Sequence, residues 1–194
     1  MQIIPAILTN ETQELDSLLR QIHDSKKFER VQIDFIDGEF ANNKTIKPSE
    51  CDLIPYLPLK FDAHLMVSEN NIVEWSKLAA SMGFERVIAQ MESISEPGEY
   101  VAIAIDDDTP VEAVEKYLPN LDYLIIMTVD PGYGGQEFEK RVLDKIRQIC
   151  HIRQIRQYKF KVCVDGGVEK EHLKTLEELG VDEVAVGAKR CLEW

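Results

Sequence analysis

Two aspartates, Asp34 and Asp165, stand near the ends of short strand-like runs, Val31–Asp37 and Phe160–Asp165. Side chains alternate along a strand with a period of two, so Gln32 shares the face of Asp34, and in Phe61–Val67 Asp62 shares the face of His64. An inward carboxylate at a strand end is costly unless it is paired, metal-bound or open to solvent. Two carboxylates on opposite sides of one carbon can exchange a proton on either face, which is what inversion beside a carbonyl requires. A divalent metal nearby stabilises the enediolate formed on the way, and Asp34, His64 and Asp165 carry suitable ligand atoms. Glycine-rich turns, Gly132-Tyr133-Gly134-Gly135-Gln136, Gly166-Gly167 and Gly187-Ala188, let backbone N–H groups approach an anion, and suit a phosphate.

Each feature has a plainer reading. Asp34 could be satisfied by backbone N–H groups, His64 could be a hydrogen-bonded core histidine, and Gln32 could simply brace Asp34. Asp62 either orients His64 and neutralises an ion or is a buried polar brace. Asp37-Gly38 reads as a turn, and Asp106-Asp107-Asp108 as a solvated loop leading into a helix cap at Thr109-Pro110.

The elements that would position these residues alternate. Strands are expected at Ile3–Leu8, Val31–Asp37, Phe61–Val67, Arg86–Glu92, Tyr100–Ile105, Tyr123–Val129, Phe160–Asp165 and Glu183–Gly187. Helices are expected at Thr12–Asp24, Ile72–Met82, Val111–Leu118, Phe138–Arg156 and Lys170–Leu179, the last closed by Gly180. Eight alternations argue for an α/β fold, a (β/α)8 TIM barrel, with residues 1–194 as one domain. The rival open sheet lacks its glycine-rich turn after the first strand. Only Ser93–Glu99 separates the fourth and fifth strands, and the chain stops at Trp194. The helix after strand four and the final helix are therefore expected to be reduced or missing, leaving two outer faces bare for a second copy in a homo-oligomer.

The bulk properties narrow the partners. Hydrophobic residues make up 44% of the 194, and no apolar run reaches the ~20 residues of a membrane span. A net charge of −13 disfavours nucleic acid and anionic membranes. Cys51, Cys150, Cys163 and Cys191 are scattered, with no CxxC pair and no secretory signal, which reads as reduced thiols in a cytoplasmic protein.

Four blocks, in order, resemble the ribulose-phosphate 3-epimerase family. They are Gln32-Ile-Asp-Phe-Ile-Asp-Gly-Glu-Phe40, Asp62-Ala-His-Leu-Met-Val67, Met127-Thr-Val-Asp-Pro-Gly-Tyr-Gly-Gly-Gln-Glu-Phe138 and Val164-Asp-Gly-Gly-Val168. The resemblance implies interconversion of ribulose 5-phosphate and xylulose 5-phosphate by proton transfer at C3. It makes Asp34 and Asp165 the acid/base pair and ligands of a divalent cation (zinc, iron, manganese or cobalt), with His64 a further ligand. Met66 and Met127 match residues lining the reacting region. Gly132, Gly134, Gly135, Gln136, Gly166, Gly167, Gly187 and Ala188 fall in the phosphate loops. The sequence also departs from the family pattern. Gln32 stands where a second histidine ligand is expected, Ala6 and Ala188 where serines are, Ile36 where a methionine is and Gln90 where a histidine is. Two alternatives follow: a catalytically impaired sugar-phosphate-binding homologue, and an epimerase for another ketose phosphate. An aldolase-like relative is disfavoured, because the only lysine on an inner strand, Lys161, lies at the wrong end.

Overall fold

The computed structural model describes residues Met1–Trp194. Eight parallel strands, β1 (Gln2–Ile7), β2 (Arg30–Ile36), β3 (Lys60–Met66), β4 (Arg86–Gln90), β5 (Ala102–Ile105), β6 (Tyr123–Met127), β7 (Lys161–Asp165) and β8 (Glu183–Gly187), close into a barrel in chain order. β1 pairs with β8, so no strand edge is left open. Six helices flank it: α1 (Thr12–Ser25), α2 (Glu69–Ser81), α3 (Val111–Glu115), α4 (Leu143–Arg156), α5 (Lys170–Glu178) and α6 (Ala188–Leu192). This is a (β/α)8 TIM barrel.

The strands carry two alternating sets of side chains. The outward set, including Ile33, Phe35, Ile103 and Val164, packs under the helices in two large apolar clusters. The inward set forms a small cluster of Ile88, Ala104, Ile125, Cys163 and Ala185 across the middle of the barrel. Polar decks lie on either side of it. The lower deck, at the N-terminal ends of the strands, joins Arg30, Asp62, Arg86, Glu183 and Tyr123. Arg86 Nη2 also lies 2.9 Å from Glu183 Oε2, and its guanidinium stacks 3.7 Å from the Tyr123 ring centroid. Asp62 is thus a buried brace between two arginines, and does not reach His64. Desolvation pushes its pKa up, while the two arginines work against that.

The two helices expected to be reduced or missing are so, and other connections depart from expectation. Between β4 and β5 there is no α-helix, only two 3-10 turns, Met91–Ser93 and Pro97–Glu99. They still lay Ile94 and Tyr100 against both apolar clusters, so this face is less bare than the short connection implies. The final helix is reduced as expected. α6 forms one short turn, Cys191 is fully buried, and Leu192 and Trp194 pack onto the core. The triple aspartate is not a solvated loop. Asp107 is buried and paired with Arg141, and Asp106 is half-buried just past the C-terminal end of β5. Thr109 does not cap α3. It donates to Glu92 instead, and Pro110 precedes the helix. All four cysteines are buried free thiols, and no helix is long and apolar enough to cross a membrane.

Candidate active site

Asp34 and His64 face one another across the β2–β3 ladder, and Asp165 is paired with Met127 across β6–β7. Inward alternation then brings the three groups together at the C-terminal mouth of the barrel, where their ligand atoms lie within 4.8 Å of one another. The backbone behind them is pinned. Thr45 Oγ1 donates to the Asp34 carbonyl at 3.1 Å, and Thr128 Oγ1 donates to the Asp165 carbonyl at 3.0 Å.

Gln32, fully buried beneath the pair, joins them. Its Nε2 donates to Asp34 Oδ1 at 2.8 Å and to Asp165 Oδ2 at 2.6 Å. His64 Nδ1 lies 3.4 Å from Asp34 Oδ1 and 3.7 Å from Asp165 Oδ2. Its Nε2 lies 3.0 Å from Gln90 Oε1, and Gln90 Nε2 donates to Asp106. Burial pushes the Asp165 carboxyl up to about 7, and the neighbouring Asp34 charge adds to this. Burial also lifts Asp106 to about 7, helped by Glu92 and Asp107. Burial alone would lower the His64 pKa, but the nearby Asp34 and Asp165 carboxylates outweigh it and hold it above its ordinary value.

Two buried polar atoms in this group lack any hydrogen-bond partner: His64 Nδ1 and Gln32 Oε1. Buried acceptors are normally satisfied. His64 Nδ1 sits with the Asp34 and Asp165 carboxylates, a donor set that fits a divalent cation, while Gln32 turns its Nε2 rather than its Oε1 toward them.

Above the carboxylates opens a cavity of about 480 Å³. Asp34, Met66, Met127 and Asp165 line its inner end. Gly132, Gly134, Gly135, Gln136, Gly166, Gly167, Gly187 and Ala188 line the rest. Gln32 and His64 lie below the lining. Two of these glycines have physical reasons for their identity. Gly166, at φ +114°, would place a Cβ 2.5 Å from Val129 Cγ2, and Gly167, at φ +59°, would drive one into the backbone of Gln136–Phe138.

Sequence reasoning missed the basic pair beside these loops. Lys189 and Arg190 both line the cavity. Lys189 is held by Glu14, 2.7 Å away, and Arg190 donates to the Val168 carbonyl at 3.0 Å. Their position immediately after Gly187-Ala188 was the available signal. Gln90 and Asp106 gave none as partners, because nothing in their spacing tells that they meet.

Solved barrels share this architecture. Phosphoribosyl anthranilate isomerase from Thermus thermophilus superposes with a TM-score of 0.60 over 97% of this chain and 88% of its own, at 13% identity. Orotidine 5'-phosphate decarboxylase from Pyrococcus horikoshii OT3 also gives 0.60, over 96% and 89%, at 13% identity. At that identity they establish the fold alone.

The sequence itself is more specific. The model of the ribulose-phosphate 3 epimerase family matches residues 2–190. Ribulose-phosphate 3-epimerase of Bacillus subtilis is 28% identical over 97% of this chain and 91% of its own length. That of Synechocystis is 30% identical over 96% and 85%. The chain belongs to the ribulose-phosphate 3-epimerase family, a family of isomerases.

Proposed function

We propose that the protein inverts C3 of a ketopentose 5-phosphate, interconverting ribulose 5-phosphate and xylulose 5-phosphate. The observation that carries this reading is the Asp34–Asp165 pair, joined by Gln32 at the inner end of a cavity whose outer loops are glycine-rich. The sugar's phosphate would lie against the backbone of Gly134–Gly135, Gly166–Gly167 and Gly187–Ala188, with Lys189 and Arg190 adding positive charge that offsets the molecule's net −13. The carbon chain would then lie between Met66 and Met127, which line the cavity with Asp34 and Asp165, with C3 over the carboxylates.

One carboxylate takes the C3 proton, and the electrons pass into the adjacent carbonyl to give an enediolate. The other carboxyl delivers a proton to the opposite face, and the pair exchange protonation states. Without a cation, burial and the Asp34 charge raise the Asp165 carboxyl to about 7, so the pair readily shares one proton. Asp34, His64 and Asp165 would hold a divalent cation, with the Gln32 carboxamide beside it. Such a cation supplies positive charge next to the oxygen that gains negative charge. The buried Met66 and Met127 side chains would leave little room for water beside the reacting carbon.

The test is exchange of the C3 proton of D-ribulose 5-phosphate in deuterated water, with and without Zn²⁺, Mn²⁺ or Fe²⁺. Cation-dependent exchange that Asp34→Asn and Asp165→Asn each reduce by ~10³-fold or more is the expected result. Turnover unchanged in either variant would refute it. One observation favours a second reading, a sugar-phosphate-binding homologue without turnover: the Gln32 amide nitrogen already occupies an oxygen on each carboxylate. That reading expects ligand-dependent thermal stabilisation with no exchange. An epimerase for another ketose phosphate would show exchange with that sugar and none with ribulose 5-phosphate.

A further inference from the structure

We propose that Gln90 and Asp106 are positioning residues that fix the tautomer of His64, holding the lone pair of its Nδ1 toward Asp34 and Asp165. The inference rests on the reading of His64 as a cation ligand, and adds the device that makes it one.

The argument follows the donors and acceptors outward from the ring. His64 and Gln90 are both fully buried, so water is not available to either as a substitute partner. Asp106 accepts a hydrogen bond from Gln90 Nε2. A carboxylate only accepts, so the ionised Asp106 holds the amide with its Nε2 turned toward it. The Gln90 oxygen is thereby turned to His64 Nε2, 3.0 Å away. An amide oxygen only accepts, so Nε2 must carry hydrogen. A neutral imidazole carries one N–H, which leaves Nδ1 with its lone pair.

That outcome is uncomfortable without a cation. Nδ1 has no hydrogen-bond partner, and two carboxylate oxygens lie 3.4 and 3.7 Å away. The other neutral tautomer would put an N–H toward Asp34 and relieve the conflict. Gln90 therefore holds the ring in the form that suits a cation. Asp106 is itself anchored. Its backbone N–H donates to Glu92 at 3.1 Å, and Lys145 Nζ donates to its carbonyl at 2.7 Å. Partners of this kind on ligating histidines typically contribute about 10- to 100-fold in metal affinity.

The test needs no turnover. The ion-free protein, labelled with ¹⁵N-histidine, is studied by long-range ¹H–¹⁵N NMR above the pH at which the ring titrates, with His64→Asn used for assignment. The wild type should show a protonated Nε2 and a bare Nδ1. Gln90→Leu should move hydrogen to Nδ1 and weaken Mn²⁺ binding, read by calorimetry, by about 10- to 100-fold. Asp106→Leu should move both in the same direction, and Asp106→Asn, which keeps an acceptor oxygen, should restore them. Should Gln90→Leu fail to fold, the two Asp106 variants carry the same comparison. A wild-type ring with hydrogen on Nδ1, or an unchanged tautomer in a folded Gln90→Leu protein, overturns the proposal. Because the spectrum is taken without substrate, a missing epimerase activity would count against the proposed reaction and leave this reading of the ring standing.

Discussion

Asp34 and Asp165 are held closer than two like charges would choose, with one amide hydrogen-bonded to both. In the ion-free protein this repulsion is an energetic load that would serve the proposed reaction rather than the fold. Asp165→Asn should therefore raise the unfolding free energy by roughly 1–3 kcal/mol in a chemical melt near pH 8, in the same variant that loses proton exchange. Gln32→His should act oppositely on ligand chemistry. An imidazole offers a lone pair where the carboxamide now offers hydrogen, so Zn²⁺ affinity measured by competition should rise by ~10-fold or more. Asp34, His64 and Asp165 were legible in the sequence because each sits on an inward phase near a strand end. The partners of Asp62 were not. Arg30 and Arg86 come from the two neighbouring strands, and only the ladder register places them together. The link from Gln90 to Asp106 was hidden for the same reason.

At the scale of elements, the turn after β2 is organised by one carboxylate. Asp37 accepts from the backbone of Glu39, Phe40 and Ser68 and from the Asn71 side chain, tying β2 to the start of α2. Partial burial opposes its ionisation, but these hydrogen bonds outweigh it and hold the carboxyl at about 2. A depressed carboxyl pKa stabilises the fold above the ordinary carboxylate range and ceases to do so as pH falls through the folded value. Asp37→Asn should thus cost roughly 1 kcal/mol at neutral pH, allowing for solvent screening, and the difference from wild type should fade between about pH 4 and about pH 2 in thermal melts. Apolar periodicity marked α1 and α5 well, but began α4 too early at Phe138, since Lys140–Val142 is a separate 3-10 turn before Leu143. It placed the start of α2 late, because Glu69, Asn70 and Asn71 form a polar first turn that has no apolar stripe to reveal it. It ran α3 too far, since Leu118–Asn120 is a separate 3-10 turn around Pro119. It also missed the 3-10 turns at Pro48–Glu50 and Ile54–Tyr56, which have no period long enough to read.

For the whole molecule, eight alternating segments were enough to read the barrel, and its closure through β1 and β8 follows from strand number and order. The two polar decks inside it were not legible as decks. The lower one is a plug of paired charges spanning β2, β3, β4, β6 and β8, with apolar side chains stacked above it. A barrel stoppered in this way has a single door. Sugar, product and cation must all pass through the same mouth, and the groups offered to the cation lie at or below the cavity's inner end. On the proposed reaction, loading would then be ordered, cation before sugar, and a seated sugar phosphate would shut the cation in. EDTA should strip Mn²⁺ from the protein at least several-fold more slowly when saturating sugar phosphate is present, as followed by the electron paramagnetic resonance of released ion. Equal rates would mean the cation has a way out that the plug does not close.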